Sequence, residues 1–193
     1  MLLAEELVLL LVPRATGAAP TRPGIHSALA AAVLVELADG DGLDYEDGWL
    51  TVCPGAAHPM AATLADGTVD DLMHALSPGL YRATLDRLTA EGLLTRHPGW
   101  RGARWRLADS HRRDHLHAEL AVVLLDDLPA DARTGPLIML LTALGVVDTV
   151  FAGLTPAGRQ RAGLIARAGW ARSDVTAAIA KATRDRVEYP PAS

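Results

Sequence analysis

The chain has 193 residues and a formal net charge of -5, from 18 basic and 23 acidic side chains. This length fits one domain with a substantial hydrophobic core. This net negative charge excludes a protein that binds nucleic acid or an anionic membrane over its whole surface. Half of the residues are apolar and only 4% are aromatic, so the core must be built from Leu, Ala and Val, which favour helix.

We therefore expect a mainly α fold: a single globular helical domain over residues 1–193, built around a buried central helix bundle, with one or two short β-hairpins. The single cysteine, Cys53, excludes an internal disulfide and suits a reducing compartment. The apolar segment 1–12 carries Glu5 and Glu6 where a secretion signal needs basic residues. The sequence instead predicts a core helix there, with these two side chains on a narrow stripe facing solvent.

The predicted elements begin with helices at 2–12 and 25–38, and Ala and Leu crowd nearly every face of the second, which should be the central helix. A short hairpin is expected over 39–52, because Asp47-Gly48 favours a type I′ turn. Next, Thr68 can cap a helix to about residue 76, and Ser77-Pro78 can cap another that runs toward Leu94.

A basic hairpin is predicted next, and the rest of the chain is read as helices and a tail. Asp109 is the expected N-cap of a helix to about residue 127. No apolar run is long enough to span a bilayer as a helix, the longest later one being 136–147. The remaining predicted helices cover 136–144, a short stretch toward Phe151, 156–168 and about 174–187. Ser173 is the expected cap of the last helix. Residues 189–193 are expected to form a fraying tail.

Residues 94–108 form the one strongly basic element, with four arginines and no acid between residues 96 and 108. Strands predicted at 94–96 and 103–107 flank a loop rich in turn residues. In the second strand Arg104 and Arg106 project to one face and Trp105 to the other. A basic face backed by an apolar one suits a membrane interface, with arginines on phosphates and tryptophans as anchors. The residues predicted for this surface are Trp100, Arg101, Arg104, Trp105 and Arg106.

Two other interpretations of this region stay open. The arginines can be a solvated strand face while the tryptophans close the edge of the core. Residues 68–108 also reproduce the helix, helix, wing order of a winged-helix DNA-binding regulator. Against this second interpretation, Asp86 and Glu91 oppose the basic residues of the proposed recognition helix, which weakens phosphate contacts and disfavours nucleic acid as a partner.

The motifs of common enzymes are missing: a Walker glycine loop, a Gly-x-Ser-x-Gly elbow and a Rossmann glycine pattern. His111 and His115 are spaced for a shared metal, but Arg112 and Arg113 lie between them and disfavour a cation. The acidic run over 39–47 lacks the glycine and the final Glu of a calcium loop. We therefore expect no enzyme activity, no cofactor and no metal.

Five apolar segments, taken in order, resemble the Golgi phosphoprotein 3 family, also called the vacuolar protein sorting 74 family, in a bacterial-type version. They read LAEELVLL from Leu3, LAAAVLVELA from Leu29, LTAEGLL from Leu88, LLDDLP from Leu124 and PLIMLLTALG from Pro136. The resemblance covers nearly the whole chain. It implies a mainly helical, non-enzymatic peripheral membrane protein that binds phosphatidylinositol 4-phosphate, sorts Golgi glycosyltransferases and acts on the cytoplasmic face of a membrane.

The resemblance also implies roles for individual residues. Family members use a hairpin at 94–108 for membrane contact and self-association, so a homo-oligomer and the tails of membrane proteins are expected partners beside anionic phospholipid. The headgroup pocket of the eukaryotic members uses a tryptophan and several arginines. The matching positions here are Thr21 or Arg22, then Ala30, then 78–82, so the resemblance assigns headgroup binding to Arg22 and Arg82.

Overall fold

The computed structural model describes residues 1–13, 24–98, 103–126, 128–168 and 174–188. The fold is predominantly α-helical, with two small antiparallel sheets, as predicted. The helices are α1 (Leu3–Leu11), α2 (Ile25–Asp39), α3 (Val69–Ala90), α4 (His111–Leu125), α5 (Thr134–Ala143), α6 (Val147–Val150), α7 (Pro156–Ala168) and α8 (Asp174–Glu188). The strands are β1 (Leu43–Glu46), β2 (Trp49–Val52), β3 (Gly67–Thr68), β4 (Leu94–His97) and β5 (Arg104–Leu107).

Helix α2 is the centre of the core. It packs against α1, α3, α5 and α8, and its residues from Ala28 to Val35 are all buried. A helix that is apolar on every face is stable only when neighbours surround it, and the four alanines in this buried stretch allow those neighbours to approach closely. The prediction that this segment is the central helix is confirmed.

The prediction of a solvent-facing stripe on α1 is wrong, because Glu5 and Glu6 are 1% and 0% exposed. One carboxylate oxygen of Glu5 accepts a hydrogen bond from the backbone N–H of Leu2 at 2.7 Å. The other lies 2.8 Å from Nε of Arg87 on α3. Glu5 therefore joins the start of α1 to α3 instead of facing water.

Glu6 is bound by two arginines from elsewhere in the chain. Nε of Arg133, just before α5, donates to Oε2 of Glu6 at 2.9 Å, and its Nη2 bonds the other oxygen. Nη2 of Arg112 on α4 also donates to Oε1 at 3.3 Å. The hydrogen bond to Glu6 raises the pKa of the Arg133 guanidinium. A buried carboxylate needs such partners, and the periodicity of α1 alone cannot reveal them.

The first sheet contains the predicted hairpin. β1 and β2 pair antiparallel, with Glu46 opposite Trp49, and both turn residues between them have positive φ, 49° at Asp47 and 88° at Gly48. Two successive positive φ values are the mark of a type I′ turn, so this prediction is confirmed. The sequence did not predict β3, a two-residue strand that pairs with β2.

Helix α3 consists of two helical segments separated by a break at Pro78 and Gly79, whose backbone angles are not helical. Thr68 caps the first segment as predicted: its Oγ1 accepts the Asp71 N–H at 3.2 Å, while an Asp71 oxygen accepts the Thr68 N–H at 3.0 Å. The Thr68 hydroxyl also donates to the Asp71 carboxylate at 2.6 Å, and this bond, with that from the Thr68 N–H, holds the pKa of Asp71 below its ordinary value. Ser77 does not cap the second segment, because its hydroxyl donates to the carbonyl of Met73.

The helices after the basic hairpin follow the prediction closely. Helix α4 begins at His111 after Ser110, so Asp109 is not its N-cap residue. The Asp109 carboxylate still accepts the His111 N–H at 2.9 Å, which satisfies one of the free donors at the helix start. The predicted cap Ser173 and the predicted tail 189–193 lie outside the described residues.

Candidate functional site

The register of β4 and β5 sorts the side chains of the basic hairpin onto two faces. Leu94 pairs with Leu107 and Arg96 with Trp105, while Thr95 pairs with Arg106 and His97 with Arg104. Directly paired residues lie on the same face of a sheet. One face, called the inner face here, therefore carries Leu94, Arg96, Trp105 and Leu107. The other, called the outward face, carries Thr95, His97, Arg104 and Arg106.

The inner face covers the hydrophobic core. Leu94 is 1% exposed and Trp105 is 7% exposed, and β4 packs directly against α3. The prediction that Trp105 faces away from Arg104 and Arg106 is therefore confirmed. Its predicted role as a membrane anchor must be corrected, because an indole already buried in the core has no apolar surface left to insert into a bilayer. The alternation of residues in a strand identifies the face of a side chain but not what covers it.

Arg82, predicted from the family resemblance to bind a headgroup, lies beside this hairpin. Its Cζ is 5.6 Å from the centroid of the Trp105 ring, and the Cζ of Arg96 is 5.9 Å from the same centroid. Both distances are within the range of a cation–π contact. Nε of Arg82 also donates to Asp86 at 2.8 Å, one turn later in α3. The fold thus brings together two residues that are 23 positions apart in the sequence, Arg82 and Trp105.

The outward face is exposed and basic. Arg104 and Arg106 are both exposed, and no ion pair joins either of them to another residue in the described part of the chain. The hydroxyl of Thr95 lies 3.1 Å from Nε2 of His97 on the same face. Two guanidinium groups without carboxylate partners can both bind an external anion.

Three predicted site residues cannot be placed. Arg22, Trp100 and Arg101 lie outside the described residues, so their positions relative to Arg82 stay predictions. Ala30, which occupies an arginine position of the family pocket, is fully buried in α2. A basic side chain would not fit there without displacing the packing around the helix.

Sequence reasoning missed two parts of the surroundings of this site. It counted Arg96 with the other hairpin arginines, but the register places Arg96 on the inner face beside Trp105. It also missed that Arg87, in the same helical segment as Arg82, pairs with the buried Glu5. A pair of acids inside an otherwise apolar helix was the available signal, because buried charges need partners of opposite sign.

The winged-helix interpretation requires a basic face on the second segment of α3. The order of helix, helix and hairpin is present, but the charges of that segment are already paired. Arg82 binds Asp86, and Arg87 contacts both Glu5 and Glu91. Phosphate contacts would have to break these pairs, which weakens the main source of affinity for DNA.

Two other features are absent from the described residues. Within the ranges given above, no helix is long and apolar enough to cross a membrane. The same ranges contain no group of three or more His, Cys, Asp or Glu side chains that could hold a metal ion.

The described residues thus form a helical fold around one buried helix, with a hairpin whose outward face is exposed and basic. Comparison with protein families is more specific. The chain belongs to the Golgi phosphoprotein 3 (GPP34) family, whose model matches residues 3–183. This is a family of non-enzymatic lipid-binding and adaptor proteins associated with the Golgi. The family match gives no support to DNA binding, and a comparison with curated proteins found no match.

Proposed function

We propose that the chain is a peripheral membrane or adaptor protein that binds the headgroups of anionic phospholipids. The observation that carries this proposal is the outward face of the basic hairpin. Arg104 and Arg106 are exposed there without a carboxylate partner among the described residues, on a chain whose net charge is -5. This asymmetry would orient the hairpin toward an anionic surface and the acidic remainder away from it.

Charge alone gives weak binding. Each arginine near an anionic leaflet contributes roughly 1 kcal/mol, so Arg104 and Arg106 with the predicted Arg101 contribute about 3 kcal/mol, which corresponds to a dissociation constant weaker than about 1 mM. A second contribution is therefore required. Trp100 as an interfacial anchor, a headgroup site that includes Arg82 and Arg22, or several hairpins in a homo-oligomer would supply it.

Phosphatidylinositol 4-phosphate, or a related phospholipid, is the lipid that the family suggests. In support, the half-exposed side chain of Arg82 lies next to the hairpin, 5.6 Å from the Trp105 ring centroid, where it would form a headgroup contact separate from that of Arg104 and Arg106. The tails of membrane proteins are proposed as further partners, and the cytoplasmic face of a membrane as the place of action. The proposed role needs no catalytic step and no cofactor.

Sedimentation with vesicles tests the proposed function. We expect the protein to remain in solution with phosphatidylcholine vesicles and to sediment with vesicles that also contain phosphatidylserine, less so as salt rises. At equal surface charge, stronger sedimentation with phosphatidylinositol 4-phosphate would support recognition of the 4-phosphate. Equal binding to neutral and anionic vesicles would contradict the proposal. A gel shift with duplex DNA in the absence of any such lipid preference would favour the winged-helix alternative.

A further inference from the structure

The outward face of the basic hairpin carries a third side chain that can become cationic. His97, the last residue of β4, pairs directly with Arg104, and Arg106 lies diagonally across the two strands from it. All three side chains are exposed. Histidine is the side chain whose charge ordinarily changes between pH 5 and 8. Among the described residues, this face therefore carries two cations when His97 is neutral and three when it is protonated.

The charged neighbours of His97 on its own face are both arginines. No carboxylate pairs with His97, Arg104 or Arg106 in the described part of the chain. Strand β4 packs against β5 and α3, and α3 covers the inner face, on the other side of the sheet, as the contact of Arg82 with Trp105 shows. The titratable side chains of the adjoining segment of α3 and its cap are Tyr81, Arg82, Asp86, Arg87 and Glu91.

Other histidines of the chain already have partners that need no external ligand. Their partners are Glu36 for His58, Glu119 for His115 and the Val150 carbonyl for His117. His97 instead stands on an exposed surface where its charged neighbours have the sign that attracts anions. A negative partner for a protonated His97 must therefore come from outside the described residues.

The Thr95 hydroxyl occupies one nitrogen of the His97 ring, because its Oγ1 lies 3.1 Å from Nε2. Both ring nitrogens are donors when histidine is protonated. In that form Nε2–H donates to Thr95, and Nδ1–H, which has no hydrogen bond among the described residues, is left for an external acceptor. A hydrogen bond from this group to a phosphate oxygen would be charge-assisted, as are those from the neighbouring guanidinium groups.

Protonation of His97 and anion binding at this face are linked. Negative charge close to an imidazole favours its protonated form. A phosphate bound beside His97 therefore makes proton uptake more favourable in the bound protein than in the free protein. Because linkage is reciprocal, a proton on His97 strengthens phosphate binding to the same extent. The sign follows directly: affinity rises as the pH falls.

We propose that His97 is a third phosphate-binding residue of the outward face and that it binds in its protonated form, so that the hairpin holds anionic membranes more tightly at lower pH. This inference rests on the proposed function and adds to it a residue and a dependence on pH. One more cation near an anionic leaflet corresponds to about fivefold tighter binding.

Sedimentation with vesicles of phosphatidylcholine and phosphatidylglycerol, at about pH 7.5 and about pH 5.5, tests the proposal. The phosphodiester of phosphatidylglycerol keeps its charge over this range, and about 0.15 M salt screens charges far from the contact. We expect the parent to bind about fivefold more tightly at the lower pH. His97→Gln should lose this difference. His97→Arg should bind at both pH values as the parent does at the lower one.

His115→Gln is the matched control, because His115 is an exposed histidine on α4 that pairs with Glu119. This variant should keep the pH dependence of the parent. His97→Arg decides the question if His97→Gln does not show the helical circular dichroism of the parent. Binding independent of pH in the parent, or undiminished pH dependence in a folded His97 variant, would overturn the inference and leave the proposed function in place. No binding to anionic vesicles at either pH would overturn both.

Discussion

Trp105→Ala is expected to lower the free energy of unfolding by about 3 kcal/mol, in the range for truncating a buried aromatic side chain. Trp105 is 7% exposed and holds two arginines, Arg82 and Arg96, against its ring. The substitution leaves a cavity between the hairpin and α3 and removes both cation–π contacts. Urea unfolding followed by circular dichroism measures the loss.

Trp49 provides the matched control for this prediction. It lies in the first hairpin and is 51% exposed, so Trp49→Ala should change stability by about 0.5 kcal/mol or less. If Trp105→Ala were as mild as Trp49→Ala while vesicle binding fell sharply, Trp105 would be a membrane anchor after all.

Arg133→Met is expected to cost about 3 kcal/mol of stability. The side chain of Glu6 is fully buried, and without Arg133 the cation left beside it among the described residues is Arg112, at 3.3 Å. Breaking a buried ion pair leaves an uncompensated charge, which typically costs 3–5 kcal/mol. We take the lower end because Arg112 still compensates part of the Glu6 charge, and because the Arg133 side chain is 48% exposed, so water partly screens its attraction to Glu6.

Arg159→Met is the control for the effect of losing an arginine. Arg159 pairs with Asp148 at 2.6 Å, but the two side chains are 50% and 61% exposed, so this loss should cost less than about 1 kcal/mol. The double variant Glu6→Leu with Arg133→Met should recover part of the stability, because no lone buried charge remains. Equal losses in Arg133→Met and Arg159→Met would contradict the structural role given to Glu6.

The sequence predicted most of the fold because its local signals agree with each other. The all-apolar surface of α2, the Asp47-Gly48 turn and the Thr68 cap each depend on neighbours a few residues away, and each is found in the structure. The separate cap expected at Ser77 failed because its hydroxyl bonds a carbonyl of the preceding turn instead.

The candidate site was only partly predictable because it depends on contacts between distant segments. Alternation within β5 correctly separated Arg104 and Arg106 from Trp105. It could not show that α3 covers Trp105 or that Arg82 rests on the indole ring. The same limit explains the error at Glu6, whose partners Arg112 and Arg133 are 106 and 127 residues away.

The outward face of the hairpin is tested most directly by vesicle binding of the double variant Arg104→Ser with Arg106→Ser. Two arginines at roughly 1 kcal/mol each predict about 30-fold weaker binding to vesicles containing phosphatidylserine, with a flatter dependence on salt. The control variant Arg159→Ser with Arg167→Ser removes the same charge from exposed positions on α7 and should bind as the parent does. Unchanged binding in the hairpin variant, or equal losses in both variants, would contradict the proposal that this face meets the membrane.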